Sequence, residues 1–166
     1  TIHHTPDGVP IRIDIDPKVK PDIVADVRAM PLSDCFADTA LASHVLEHFS
    51  FKETISVLKE WIRILKVGGK LVVVVPNLKW ASKRILDPTS YTHESDPGRC
   101  MFMYYSAQKG DLKDAAQDTH KSGFTPESLK GVLARTGLLT DIEVHTSEGN
   151  YSDWQNPAYI NKEGMG

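Results

Sequence analysis

The chain has 166 residues, 40% of them apolar and 25% charged, which suits one globular domain with a sizeable core and leaves too little for two. Its formal charge is −3, from 19 Lys and Arg against 22 Asp and Glu, the opposite of the basic footprint of a nucleic-acid binder. Cys35 and Cys100 are too far apart for a C-x-x-C metal motif and too few for a disulfide framework.

Ile11 to Ile15 alternates and stops before Pro17, the pattern of a strand. Asp22 to Asp26 is a second, shorter strand candidate, with only Pro17 to Pro21 before it, fewer than the dozen or so residues of a normal parallel crossover. Asp38 to Ser43 is a third. Ser50 and Glu53 form an S-x-x-E capping box, and Ile55, Leu58, Ile62 and Leu65 follow as an apolar stripe at helical spacing. Gly68-Gly69 is expected to end that helix. The run Lys70 to Val75 is apolar enough for a strand buried on both faces. Strand, helix and buried strand in succession predict a right-handed βαβ unit.

Residues 78–123 hold Pro, Gly, His and aromatics without steady periodicity and read as an insertion or lid within a single domain spanning 1–166. Thr125 then caps a second helix. Pro126 takes its first position, Leu129, Val132, Leu133 and Thr136 line one face, and Gly137 ends it. Leu139 to Val144 is predicted as a strand, and Ala158-Tyr159-Ile160 as a last one. No apolar run approaches the roughly 20 residues of a membrane span, and no signal-type sequence opens the chain. The expected setting is cytoplasmic, with no membrane partner and no nucleic acid.

In an open parallel sheet, ligands bind beyond the carboxyl ends of the strands. Asp14, with Ile15 beside it, ends the first predicted strand, where a carboxylate can accept from both hydroxyls of a ribose; a solvated Asp-Pro turn is the plain alternative. Asp26 ends the second, followed by the apolar Met30 and Leu32. Its carboxylate could take an adenine amine and the Val27 N–H a ring nitrogen; a loop acid before a turn is the alternative.

Five segments then carry a resemblance: Asp26 to Leu32, Phe36-Ala37-Asp38, Ser43-His44-Val45-Leu46-Glu47-His48, Glu60 to Gly69, and Val75-Pro76-Asn77. In this order, over 52 residues, they resemble the successive motifs of class I S-adenosylmethionine-dependent methyltransferases of the type 11 group; His120 to Leu129 is similar to a late segment of that family. The resemblance implies a Rossmann-like, mostly parallel sheet with helices on both faces and S-adenosylmethionine as cofactor. It places Asp14 and Ile15 at the ribose, Asp26 and Val27 at the adenine, and Ser43 or His44 near the methionine half.

The family's glycine motif should precede the ribose acid. Gly8 is the only glycine before Asp14, so the expectation is a chain lacking the first strand and its glycine loop, truncated at its N-terminal side. The strand edge so exposed would invite a homodimer.

Methyl transfer asks for alignment above all, with a general base only where the acceptor must lose a proton. His48, His93 and His120 are base candidates by residue type, each set against a structural or solvated histidine. Tyr91, Arg99, Tyr104 and Tyr105 could line a pocket for an acceptor, by default a small molecule. His44 to His48 also matches the zinc-peptidase pattern H-x-x-E-H, but it follows a strand and precedes a helix cap instead of lying on a helix; no metal is expected. A nicotinamide dehydrogenase would share the sheet and the ribose acid but not the later motifs. The rival of a different class is a non-catalytic methyltransferase-like binding or assembly module.

Overall fold

The computed structural model describes residues 2–4, 9–87, 89, 100–101, 104–105, 119–146 and 158–159. Six strands form one sheet: β1 (Ile2–His4), β2 (Pro10–Asp14), β3 (Ile23–Val24), β4 (Ala37–Ser43), β5 (Leu65–Val74) and β6 (Ala158–Tyr159), in the spatial order β3-β2-β1-β4-β5-β6. Among the described residues, α1 (Phe51–Arg63), α2 (Leu78–Leu86) and α3 (Pro126–Ala134) accompany them. β2 pairs parallel with β3 and β4 with β5, while β1 is antiparallel to both of its neighbours and β6 is antiparallel to β5. Four of the six strands, β2 to β5, therefore share a direction and present their carboxyl ends along one rim.

The middle of the sheet departs from the sequence expectation. The sequence predicts no strand ahead of the one that ends at Asp14, and an open edge in its place. Instead, Ile2–His4 lies between β2 and β4, with Ile2 opposite both Arg12 and Leu41. Backbone groups that would otherwise face a gap are paired, and the edge proposed to recruit a second copy is closed. Gly8 lies outside the described residues.

β5 shows why an apolar run becomes a central strand. Leu71 and Val73 join the main core, while the intervening Val72 and Val74 are buried as well, so both faces are covered. The strand starts earlier than expected. α1 ends at Arg63 and caps at Ile64, so Gly68-Gly69 does not end it. The two glycines serve a bulge, in which Leu65 to Lys70 opposes only Ala37 to Thr39. Gly68 takes a φ of 78°, and a Cβ on Gly69 would stand 2.8 Å from the Lys66 carbonyl oxygen.

α1 begins as its capping box predicts: the Ser50 N–H and Oγ both donate to Glu53 Oε2. Its buried face is Thr54, Val57, Leu58, Trp61 and Ile62, a stripe at i, i+3, i+4, i+7 and i+8 rotated from the predicted one. Ile55 is only half-buried, and Leu65 belongs to β5. α1 packs on β5 and against α3. α3 matches the sequence reading, with Thr125 accepting from the Ser128 N–H, Pro126 in the first turn, Leu129 and Leu133 buried, and Gly137 at a φ of 68°. Leu139 to Val144 is not a regular strand. The residues turned to the core there are Leu139, Ile142 and Val144, a spacing that breaks the two-residue period a ladder needs.

Between β2 and β3 the usual helix is replaced by a single 3-10 turn, Pro17–Val19, capped by the Asp16 carboxylate. So short a parallel link is held by Asp22, whose carboxylate accepts from the Arg12 N–H at 2.7 Å and whose own N–H donates to the Arg12 carbonyl at 3.0 Å. Among the described residues, no helix is long and apolar enough to cross a membrane.

Candidate functional site

The shared direction of β2 to β5 brings the predicted cofactor residues to one rim of the sheet. Asp14 closes β2, half-buried. Its Oδ1 accepts the Asp16 N–H at 2.9 Å, an Asx turn that aims the carboxylate, and Oδ2 has no partner among the described residues. Ile15, next to it, is exposed.

Asp26 follows β3 by two residues and is held by Arg28. The guanidinium donates to both carboxylate oxygens, Nη2 to Oδ2 at 2.7 Å and Nε at 3.0 and 3.1 Å, and the Arg28 N–H adds a bond at 2.9 Å. These bonds hold the Asp26 carboxyl below its usual range. Arg28 also reaches Glu53 at the head of α1, at 3.3 Å. Val27 is buried and its carbonyl accepts the Trp61 Nε1–H at 3.1 Å; its N–H has no partner among the described residues. Met30 is buried beneath the same turn.

Ser43 ends β4, exposed, and His44 follows at a φ of 52°, its N–H donating to the Val74 carbonyl at 2.9 Å. A non-glycine residue in the left-handed region is uncommon; here it turns the chain sharply off the sheet. His44 Nδ1 lies 3.2 Å from Glu47 Oε1. The segment does not form the long helix a zinc peptidase needs: Leu46–His48 is one 3-10 turn.

Two base candidates 72 positions apart in sequence come together. The rings of His48 and His120 stand edge to face with centroids 5.1 Å apart. The reason is a backbone clamp: the Lys121 and Ser122 N–H groups both donate to the Glu47 carbonyl, at 2.8 and 3.0 Å. Beside the two rings lies a residue that sequence reasoning did not single out. Glu47 is fully buried, its Oε2 has no hydrogen-bond partner among the described residues, and its Oε1 is 4.0 Å from His120 Nε2. The signal available was Glu47 itself, a charged residue flanked by apolar Leu46 and by His48.

The acceptor-side residues are placed less fully. Tyr104 exchanges a 2.6 Å hydrogen bond with Ser82 of α2, beside a small cluster formed by Ala81 and Cys100. Tyr105 is exposed. Tyr91, His93 and Arg99 lie outside the described residues.

Residues 11–73 match the family model described as a methyltransferase domain. The match covers less than half of the chain, whose fold is of the class I methyltransferase kind. Three solved structures are similar to it in fold. One, from Pyrococcus horikoshii, has a TM-score of 0.54 at 18% identity, covering 91% of this chain and 72% of its own. Another is the 1,6-didemethyltoxoflavin-N1-methyltransferase of Burkholderia thailandensis, with bound 1,6-didemethyltoxoflavin and S-adenosylhomocysteine, at 0.53 and 13%, covering 93% and 60%. The third, an S-adenosylmethionine-dependent methyltransferase from Methanosarcina mazei, gives 0.52 and 19%, covering 86% and 66%. Against other methyltransferase structures this chain spans 34% to 59% of their length. No curated protein matches the sequence. S-adenosylmethionine is the cofactor of the class I methyltransferase type, and the Asp14, Asp26 and Ser43-His44 positions lie where an open sheet of this kind receives its ligand.

Proposed function

We propose that the chain binds S-adenosylmethionine along this rim and transfers its methyl group to a small-molecule acceptor. The observation that carries the reading is the alignment of Asp14, Asp26 and Ser43-His44 at the ends of co-directional strands, with Asp14 Oδ2 open to accept from a ribose diol. Ile15 would flank the ribose, Asp26 and the Val27 N–H would take the adenine, and the 78–123 region, including Tyr104, would form the acceptor side of the same single domain. The Burkholderia relative, which holds a small heterocycle beside the spent cofactor, supports an acceptor of that size. The sulfonium is a good leaving group, so holding acceptor, methyl and sulfur in line is the chief task; His48 or His120 would take the acceptor's proton where one must leave.

Calorimetric titration with S-adenosylhomocysteine tests the reading. One-site binding is expected in the parent protein, weakened at least tenfold in Asp14→Ala. A second reading, a binding module without transfer, is favoured by β1: an antiparallel strand stands beside the ribose acid where the resemblance calls for a strand leading into a glycine loop. That reading predicts no heat with S-adenosylhomocysteine and no change in Asp14→Ala.

A further inference from the structure

We propose that Glu47, His48 and His120 form a binding site for a first-row divalent metal ion of the zinc or cobalt kind, whose remaining coordination positions receive oxygen donors of the methyl acceptor. The second clause rests on the methyl-transfer reading; the metal site does not.

One donor atom from each of the three residues lies within 4.8 Å of the others, a spacing a single ion closes with bonds of roughly 2 Å. Glu47 is fully buried with Oε2 unpartnered. A buried carboxylate oxygen without a donor is costly, and a cation removes that cost. His48 is arranged as metal-bound histidines usually are. Its Nδ1 lies 3.3 Å from the Thr119 carbonyl oxygen, which can only accept, so Nδ1 carries the proton and Nε2 keeps its lone pair. His120 is almost wholly buried and turns Nε2 toward Glu47. His44, at 3.2 Å from Glu47 Oε1, steadies the carboxylate from the other side.

Two imidazoles and one carboxylate suit zinc, cobalt, manganese or ferrous iron better than calcium or magnesium, which favour all-oxygen sets. Three protein ligands leave positions open, the arrangement of sites that act on a bound molecule. The cluster begins four residues beyond Ser43, so an acceptor hydroxyl on the ion would lie on the methyl-donor side of the sheet, where coordination would ease loss of its proton; with the ion bound, His48 and His120 ligate it and the ion takes over the part of a general base.

The test is titration of chelator-treated protein with Zn2+ by calorimetry, and with Co2+ by visible absorption. Expected are one Zn2+ per chain, binding weakened at least tenfold in Glu47→Gln and in His120→Ala, and no change in His145→Ala, which removes an exposed histidine elsewhere. Co2+ should give the intense bands of a four- or five-coordinate nitrogen-ligated ion. A spectrum like that of aqueous Co2+, or Zn2+ binding equal in the parent and Glu47→Gln proteins, overturns the proposal. The Co2+ spectrum of the parent protein decides even where a variant does not fold. Zn2+ binding without S-adenosylhomocysteine binding would sink the methyl-transfer reading and leave the metal site standing; the reverse result would do the opposite.

Discussion

The indole of Trp61 donates its Nε1–H to the Val27 carbonyl at 3.1 Å, tying the middle of α1 to the turn that carries the adenine-side residues. Trp61 is 1% exposed, so this bond lies in the core and has no water to replace it. Trp61→Phe keeps an aromatic ring but loses the donor and part of the indole's volume. The expected loss is about 2–4 kcal/mol in denaturant unfolding, from the orphaned buried acceptor and the space left in the core. S-adenosylhomocysteine affinity should fall in parallel, because the Val27 N–H is aimed by the same peptide turn. Unchanged affinity with reduced stability would remove Val27 from the site.

Arg28 competes with any ligand for the Asp26 carboxylate. Arg28→Met releases Asp26, whose carboxyl should rise toward the ordinary value of 3.8. S-adenosylhomocysteine should then bind as tightly as before or up to a few fold tighter, while Asp26→Ala weakens it. If Arg28→Met costs more than threefold in affinity, the arginine and not the aspartate is the group that meets the cofactor.

Arg63 gathers four acceptors at the lower end of α1: Glu60, Asp34 and the Met30 and Leu32 carbonyls, at 2.6 to 3.2 Å. The Glu60 carboxylate also accepts the Met30 N–H at 2.7 Å. Arg63→Met strands a half-buried carboxylate and two carbonyls and should destabilise by about 2–3 kcal/mol. The hydrogen bonds from Arg63 depress the Glu60 carboxyl below its ordinary 4.5. A depressed folded-state value means the stabilisation is complete above pH 4.5 and is lost as pH falls through the folded value. Urea midpoints between pH 6 and pH 3 should drop less steeply in Arg63→Met than in the parent.

Gly123 lies against the side chain of Leu78 at the start of α2. A Cβ there would stand 2.1 Å from Leu78 Cδ1 and 2.9 Å from Cγ. Gly123→Ala should cost about 1–3 kcal/mol through overpacking, and Leu78→Ala in the same chain should recover part of it. Failure of the double variant to recover would mean that the backbone of the 119–124 segment, not the leucine, takes up the strain.

The elements legible in the sequence were those whose signals are local. Thr125, Pro126 and Gly137 mark α3 at both ends by chemistry that acts within one turn. Ser50 and Glu53 likewise mark the start of α1. Gly68-Gly69 misled, because a left-handed glycine serves a helix end and a strand bulge equally well, and only the register of β5 against β4 tells them apart. Asp14, Asp26 and Ser43-His44 could be placed at strand ends because strand direction follows from the βαβ rule. Glu47 could not be read as part of a cluster. Its meaning depends on residues 119–122 arriving from the far side of the chain through two bonds to its carbonyl, a contact with no trace in local spacing. The antiparallel β1 was equally hidden, since three residues carry no periodicity.

That short strand has a consequence for cooperativity. Among the described residues, every ladder bond between the β2–β3 pair and the β4–β5–β6 group passes through Ile2–His4. When those three residues detach, the sheet divides into two smaller ribbons, and the rim that aligns Asp14 with Ser43 loses its backbone splint. Amide protons of Ile11 and Leu41, which lie opposite His3 and Ile2 on the two sides of that strand, should therefore exchange with deuterium at a common rate set by one local opening.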